Sequence, residues 1–132
     1  MDGRHIATIL VVDDERTVRN IAALLLQRHG YRTLQADSGM EAISICEEEK
    51  VDLVLSDVRM PGMDGIRLGN ELRARHAELP VVFMSGYIPE ECASSLSRSS
   101  VLSKPFTPVG LLEVVRRSLA ESRVCRAGRH IS

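Results

Sequence analysis

The segment Ile9-Leu-Val-Val-Asp-Asp-Glu15 is a short aliphatic run that ends abruptly in three acidic residues. A run of this length is typical of a buried β-strand, and the aspartates mark the point where the strand ends. The next residues carry apolar side chains at helical spacing, namely Val18, Ile21, Ala22 and Leu25. The segment therefore predicts a strand, an acidic loop and an amphipathic helix, in that order.

The same alternation continues along the chain. We predict five strands, which are Thr8 to Val12, Tyr31 to Ala36, Asp52 to Ser56, Pro80 to Met84 and Ser100 to Ser103. Strands that alternate with helices over short loops favour a parallel sheet covered on both faces, because right-handed crossovers place helices on either side. The predicted fold class is α/β, a single doubly wound five-stranded parallel sheet of (βα)5 type.

Four more helices are predicted between and after these strands. One has Gly39, Ala42, Ile43 and Cys46 on its inner face, and another follows Asp64 and turns Leu68 and Leu72 inward. A serine-rich stretch near Glu90 to Leu96 gives only a weak helical pattern. The last helix begins at about Pro108, with an apolar side made of Leu111, Leu112, Val115 and Leu119.

The composition describes one ordinary globular domain. The 132 residues carry a formal charge of -1 and are 44% hydrophobic, so no overall field would attract nucleic acid or anionic lipid. No apolar run is long enough to enter a membrane, so we expect a cytoplasmic protein. We expect residues 1–122 to form the domain and residues 123–132, which lack a periodic pattern, to be a flexible, frayed tail.

The cysteines give no sign of a disulfide framework or a zinc site. Cys46, Cys92 and Cys125 are odd in number, lie far apart and include no CxxC pair. We interpret Cys46 as a small core residue.

Five polar residues stand where predicted strands end, and these are Asp13, Asp14, Asp57, Ser85 and Lys104. The carboxyl ends of parallel strands meet at one edge of a sheet, which is where such folds bind ligands. Each residue alone has an ordinary explanation, such as helix capping or solvation. Their joint placement at one edge favours a functional site.

Three crowded carboxylates repel one another unless a cation lies between them. Magnesium accepts carboxylate oxygens, a backbone carbonyl and retained waters, and it leaves positions for phosphate oxygens. An ion at this point would screen an incoming phosphoryl group from Asp57, which could then act as a nucleophile and form an acyl phosphate. Lys104 and the Ser85 hydroxyl are suited to hold two of the new oxygens.

These residues closely resemble a known family, the receiver domains of response regulators in two-component systems. The matching stretches are Ile9-Leu-Val-Val-Asp-Asp-Glu15, Asp57-Val-Arg-Met-Pro-Gly-Met-Asp-Gly65, Met84-Ser-Gly86 and Lys104-Pro-Phe106. The resemblance runs from about Ile9 to Leu119. It implies a flavodoxin-like sheet with strand order 2-1-3-4-5, and a phosphorelay in which a histidine kinase or histidine phosphotransfer protein phosphorylates Asp57.

The resemblance also implies roles for the neighbouring residues. Asp14, Asp57 and the main-chain carbonyl of Arg59 would ligate Mg²⁺, and Asp13 would help to hold the ion, through water. Ser85 would move toward the phosphoryl group, and Lys104, before an expected cis bond to Pro105, would pair with it. Such a domain catalyses only its own phosphorylation and dephosphorylation, and it would be a monomer or a weak phosphorylation-dependent dimer that makes no direct contact with nucleic acid.

One departure affects the conformational switch. The family usually has an aromatic residue three positions before the lysine, where this chain has Val101. A short β-branched side chain cannot replace a rotating ring. We therefore expect any switching to depend on the loop after Ser85 and on the weak helix.

Three alternatives remain open at this point. A phosphatase of the haloacid dehalogenase type would need a second aspartate two residues after the nucleophile, where Arg59 stands. A Rossmann-type nucleotide domain would need a glycine-rich turn where Asp13, Asp14 and Glu15 lie. A phosphorylation-independent receiver-like interaction module would keep the fold without the chemistry.

Overall fold

The computed structural model describes residues 7–86 and 100–131, and the side chains of residues 7–86 and 101–122. Within these ranges the strands are β1 (Thr8–Val12), β2 (Arg32–Ala36), β3 (Leu53–Asp57), β4 (Val81–Ser85) and β5 (Ser100–Ser103). The helices in the same ranges are α1 (Arg16–Gln27), α2 (Gly39–Glu48), α3 (Gly65–Arg75) and α4 (Pro108–Ile131).

The strands form one parallel sheet in the order β2-β1-β3-β4-β5, which confirms the predicted fold. The chain runs from β1 outward to β2 and then returns to the other side of β1 to form β3. This reversal leaves a crevice beyond the carboxyl ends of β1 and β3, which is the usual place for a ligand in an open α/β sheet.

Two hydrophobic clusters cover the two faces of the sheet. Along β1, Ile9 and Val11 belong to the cluster under α1 and α4, whereas Leu10 and Val12 belong to the cluster under α2 and α3. Successive side chains of a strand point to opposite faces, so a strand buried on both sides must be apolar throughout. This requirement explains the unbroken aliphatic runs of the sequence.

The bounds of the predicted strands match the observed ones within one residue. β1 and β5 have the predicted bounds, whereas β3 and β4 each begin and end one residue later, so that Asp57 and Ser85 are the last residues of their strands. Asp52 stays outside β3, and its carboxylate accepts a hydrogen bond from the Thr8 N–H at 2.8 Å.

The predicted inner face of α1 is partly wrong. Ala22 is buried as predicted, but Ile21 is 50% exposed, and Ala23 and Leu26 are buried instead. Every residue from Ile21 to Leu26 is apolar, so the helical period cannot decide which side faces the sheet. The inner faces predicted for α2 and α3 are confirmed, including the buried Cys46.

The last helix is longer than predicted. α4 continues to Ile131, through the tail that the sequence analysis treated as frayed and without regular structure. An established helix extends at little cost through good helix formers such as arginine and alanine. The flexibility of this tail stays a prediction, and the weak helix predicted near Glu90 to Leu96 lies outside the described residues.

Gly65 holds the start of α3 against the end of β3. Its N–H donates to the Val58 carbonyl at 2.8 Å, and a Cβ on this residue would overlap the main-chain carbonyl of Asp57. Asp64, just before it, caps the helix by accepting a hydrogen bond from the Arg67 N–H at 2.8 Å. The backbone of Asp57 is therefore packed directly under the first residue of α3.

We expect Gly65→Ala to lower the free energy of unfolding by about 1–3 kcal/mol, the usual effect of overpacking, because main-chain atoms cannot move aside as a flexible side chain can. Gly86→Ala is a matched control, since a Cβ there meets nothing within 4 Å, and we expect it to change stability by less than about 0.5 kcal/mol. Urea denaturation measures both variants. Equal stabilities would show that the Gly65 contact is unimportant.

Candidate functional site: an acidic cluster with a half-buried lysine

The structure places all five predicted side chains at the carboxyl edge of the sheet. Asp13 and Asp14 follow β1, Asp57 and Ser85 end β3 and β4, and Lys104 follows β5. Adjacent parallel strands in register carry these residues to the same edge, as Asp57 pairs with Met84 and Ser85 pairs with Ser103.

The three aspartates form one cluster. Asp13, Asp14 and Asp57 can each present a carboxylate oxygen within 4.8 Å of the other two. Their burial differs, because Asp13 is 0% exposed and Asp57 is 8% exposed, whereas Asp14 is open to solvent. The cluster therefore has a buried base and an open side, a difference between Asp13 and Asp14 that the sequence analysis did not predict.

Asp13 is held by hydrogen bonds on both its main chain and its side chain. Its N–H donates to the Ala36 carbonyl at 3.2 Å, its Oδ1 accepts from the Glu15 N–H at 2.9 Å, and its Oδ2 accepts from Lys104 Nζ at 3.0 Å. A buried carboxylate is tolerated when its oxygens are satisfied in this way. The position of Asp13 is consequently determined by β2, by the start of α1 and by the loop after β5.

Lys104 lies between two carboxylates. Its Nζ is 3.0 Å from Asp13 Oδ2 and 3.4 Å from Asp57 Oδ1, and its main-chain N–H donates to the Ser85 carbonyl at 3.0 Å. The bond from Lys104 to Pro105 is cis, as the resemblance implied. The ammonium group thus neutralises the base of the cluster while its backbone continues the pairing of β4 and β5.

The pKa of Asp57 is raised above its ordinary value. Burial is the main cause, and the negative charge of Asp13 adds to it, while the charge of Lys104 acts in the opposite direction without cancelling the shift. The fold therefore disfavours the charged form of this carboxylate in the absence of a further cation.

The pKa of Lys104 is raised as well. Burial alone would lower it, but the hydrogen bond and charge of Asp13, together with the charge of Asp57, outweigh that effect. The pKa of Lys104 and that of Asp57 can both be raised, because the ammonium makes its shorter contact with Asp13 and stabilises the charged form of Asp57 only in part.

Comparison with known proteins identifies the family. The family profile of the response regulator receiver domain matches residues 9–116. The chain belongs to this family. As a receiver domain it is a component of two-component signalling systems, and the predicted identity is confirmed.

Relatives of this receiver domain include kinases and single-domain proteins. It is 42% identical over 118 residues to the sensor kinase CckA of Brucella abortus, covering 86% of this chain and 12% of the kinase. It is 32% identical to the sporulation initiation phosphotransferase F of Bacillus subtilis, covering 84% of this chain and 92% of that protein. The structure of Vibrio cholerae CheY4 superposes with a TM-score of 0.80 at 28% identity, over 85% of this chain and 98% of that one.

The receiver domain corresponds to only part of many relatives. The chain spans between 12% and 27% of the length of several curated proteins that it matches, such as the CckA kinase and the Escherichia coli regulator GlrR. Among the described residues, no helix is both long and apolar enough to cross a membrane. The cytoplasmic location stays a prediction.

One residue of this site was not predicted from the sequence. Arg19, on α1, donates from Nη1 to the main-chain carbonyl of Asp13 at 2.8 Å. The predicted site residues stand at strand ends, whereas Arg19 lies one helical turn into α1 and its partner is a backbone atom. The only signal was its position six residues after Asp13, on a helix predicted to start beside the acidic loop.

We expect Asp57→Asn to raise the melting temperature by a few degrees at pH 7 without divalent cations. Because the folded-state pKa of Asp57 is raised, its charged form costs stability above that pKa, and a neutral amide removes the cost. Below about pH 3, where aspartate is largely protonated in both the folded and the unfolded state, the difference should vanish. Asp37→Asn, at an exposed loop position, is the control for thermal unfolding across this range. A lower melting temperature for Asp57→Asn at pH 7 would contradict the argument.

Proposed function

We propose that this receiver domain accepts a phosphoryl group on Asp57 from the phosphohistidine of a histidine kinase or a histidine phosphotransfer protein. One observation carries the proposal: the Asp57 carboxylate lies within an acidic cluster and 3.4 Å from the Lys104 ammonium. A nucleophile, its neighbouring cation and a set of metal ligands are the parts that phosphoryl transfer to an aspartate requires.

The residues of the cluster fit Mg²⁺. They offer only oxygen ligands, and the open side at Asp14 leaves room for waters and phosphate oxygens, as this ion prefers. Asp14, Asp57 and the Arg59 carbonyl would hold the ion, and Asp13 would contribute through water, because its Oδ2 already accepts from Lys104. When bound, Mg²⁺ supplies charge that offsets the repulsion between the carboxylate and the phosphoryl oxygens.

The residues of the chain would then act in sequence. A carboxylate oxygen of Asp57 forms a bond to phosphorus while the bond from phosphorus to the donor histidine breaks, and the released imidazole nitrogen keeps the electron pair. Lys104 moves from Asp57 Oδ1 to a phosphoryl oxygen, a short displacement for an ammonium that already spans two carboxylates. The Ser85 hydroxyl, at the end of β4, would hold another oxygen.

The same proposal includes the output of the domain. The chain would catalyse only its own phosphorylation and dephosphorylation. It would signal by a conformational change that begins at Ser85. Val101 packs against the cluster under α2 and α3 and is too short to act as a rotating aromatic switch. The change would therefore pass through the segment that follows Gly86.

The interaction-module alternative is not favoured. A docking surface without chemistry has no need to bury Asp57 beside Asp13, because burial and the charge of Asp13 raise the pKa of Asp57 and make its charged form costly. The phosphatase alternative lacks its general acid, since Arg59 is an arginine and cannot donate a proton at neutral pH.

Labelling with a phosphodonor tests the nucleophile. We expect the parent chain to become phosphorylated by acetyl phosphate with Mg²⁺, and Asp57→Asn to lose this labelling entirely. Asp37→Asn, which changes an exposed aspartate after β2, should label like the parent. Mass spectrometry of the borohydride-reduced protein would locate the modified residue. Undiminished labelling of Asp57→Asn would refute the assignment.

Replacement of an exposed ligand tests the metal requirement. We expect Asp14→Asn to reduce the rate of phosphorylation by at least about tenfold. The assay uses Mg²⁺ on the order of 1 to 10 mM, a concentration suited to a weak ion site. Its melting temperature without metal should equal or exceed that of the parent, because a like charge is removed from the cluster. Normal labelling after chelation of divalent cations would contradict the metal dependence.

A further inference from the structure

Arg19 connects α1 to the acidic loop and to the edge strand. Its Nη1 donates to the main-chain carbonyl of Asp13 at 2.8 Å, and its Nε donates to Gln35 Oε1, on β2, at 3.3 Å. The Arg19 main-chain N–H also donates to the Glu15 carbonyl at 3.1 Å. A planar guanidinium with two anchors holds its partners in a defined orientation better than a single hydrogen bond does.

The carbonyl that Arg19 binds belongs to the peptide between Asp13 and Asp14. Fixing that peptide plane fixes the position of the Asp14 Cα and the direction of its N–Cα bond, so that only rotation about that bond and within the side chain remains to orient the carboxylate. Asp13 has other anchors, at Ala36, Glu15 and Lys104, but Asp14 is exposed to solvent. The orientation of Asp14 therefore depends on its backbone more than on contacts of its side chain.

We propose that Arg19 is a positioning residue for the cation site, which it organises by holding the Asp13–Asp14 peptide so that the Asp14 carboxylate points toward Asp57. The inference rests on the proposed Mg²⁺-dependent phosphorylation of Asp57. It assigns no contact between Arg19 and the ion or the phosphoryl group.

Two effects of the arginine oppose each other. Its positive charge repels a divalent cation, whereas its hydrogen bonds preorganise a ligand. Salt weakens the interaction between exposed charges. Mutation of a residue that orients a metal ligand commonly lowers metal affinity by about 10- to 100-fold. We therefore expect the loss of orientation to dominate when Arg19 is removed.

Calorimetric titration with Mg²⁺, without phosphodonor, measures the effect directly. We expect Arg19→Ala to raise the dissociation constant about tenfold. Arg16→Ala is the matched control, because Arg16 is exposed, begins the same helix and carries the same charge, and its dissociation constant should stay within about twofold of the parent. Arg19→Lys keeps the charge but cannot hold both partners, so it should lie between the parent and Arg19→Ala.

Two further measurements separate positioning from general damage. The Mg²⁺ concentration for half-maximal phosphorylation should rise about tenfold in Arg19→Ala, while the rate at saturating Mg²⁺ stays within about twofold of the parent. Amide hydrogen exchange of the metal-free protein should show faster exchange at Glu15, whose N–H donates to Asp13 Oδ1, in Arg19→Ala but not in Arg16→Ala.

The outcomes are distinct. If Arg19→Ala binds Mg²⁺ as tightly as Arg16→Ala, or more tightly, the charge of Arg19 and not its hydrogen bonds determines Mg²⁺ affinity, and the positioning role is refuted. A reduced rate at saturating Mg²⁺ with unchanged half-saturation would also refute it. If the parent itself is not phosphorylated on Asp57, the phosphoacceptor proposal fails, whatever the Arg19 variants show.

Discussion

The ion pair between Lys104 and Asp13 is the interaction on which the site depends. Asp13 is fully buried, and a buried carboxylate without a partner would be costly enough to change its protonation or to expel it from the fold. Lys104 Nζ, at 3.0 Å, supplies the compensating charge, and Lys104 follows the edge strand β5, which lies three strands away from β1 in the sheet. The pair consequently joins the end of β1 to the loop after the edge strand β5, and it places the ammonium beside Asp57.

The hydrophobic clusters on the two faces give this pair a rigid support. Strands β1, β3 and β4 are buried along their whole length, so their carboxyl ends cannot move independently. Gly65 packs α3 directly on the Asp57 backbone, and Arg19 holds the peptide that follows Asp13. Asp57 is thus held by α3, on one face of the sheet, and the acidic loop is held by α1, on the other face.

The electrostatics of the site favour an additional cation. Three carboxylates face one ammonium, burial and Asp13 raise the pKa of Asp57, and Asp14 keeps one side open to solvent. A charge cluster of this kind costs stability, so its presence is better explained by chemistry than by folding. The family relationship and the geometry therefore support the same proposal on independent grounds.

The sequence by itself determined the architecture, because aliphatic runs that are buried on both faces show their strand character locally. It also determined most of the site residues, because the polar residues that end these strands must meet at one edge of a parallel sheet. It did not determine which side of α1 faces the sheet, since consecutive apolar residues from Ile21 to Leu26 remove the periodic signal. It also did not predict that Asp13 is buried while Asp14 is exposed, and it did not identify Arg19. Those features depend on distances between residues that are remote in sequence, or on contacts with backbone atoms that have no sequence signature, and only the packed tertiary structure decides them.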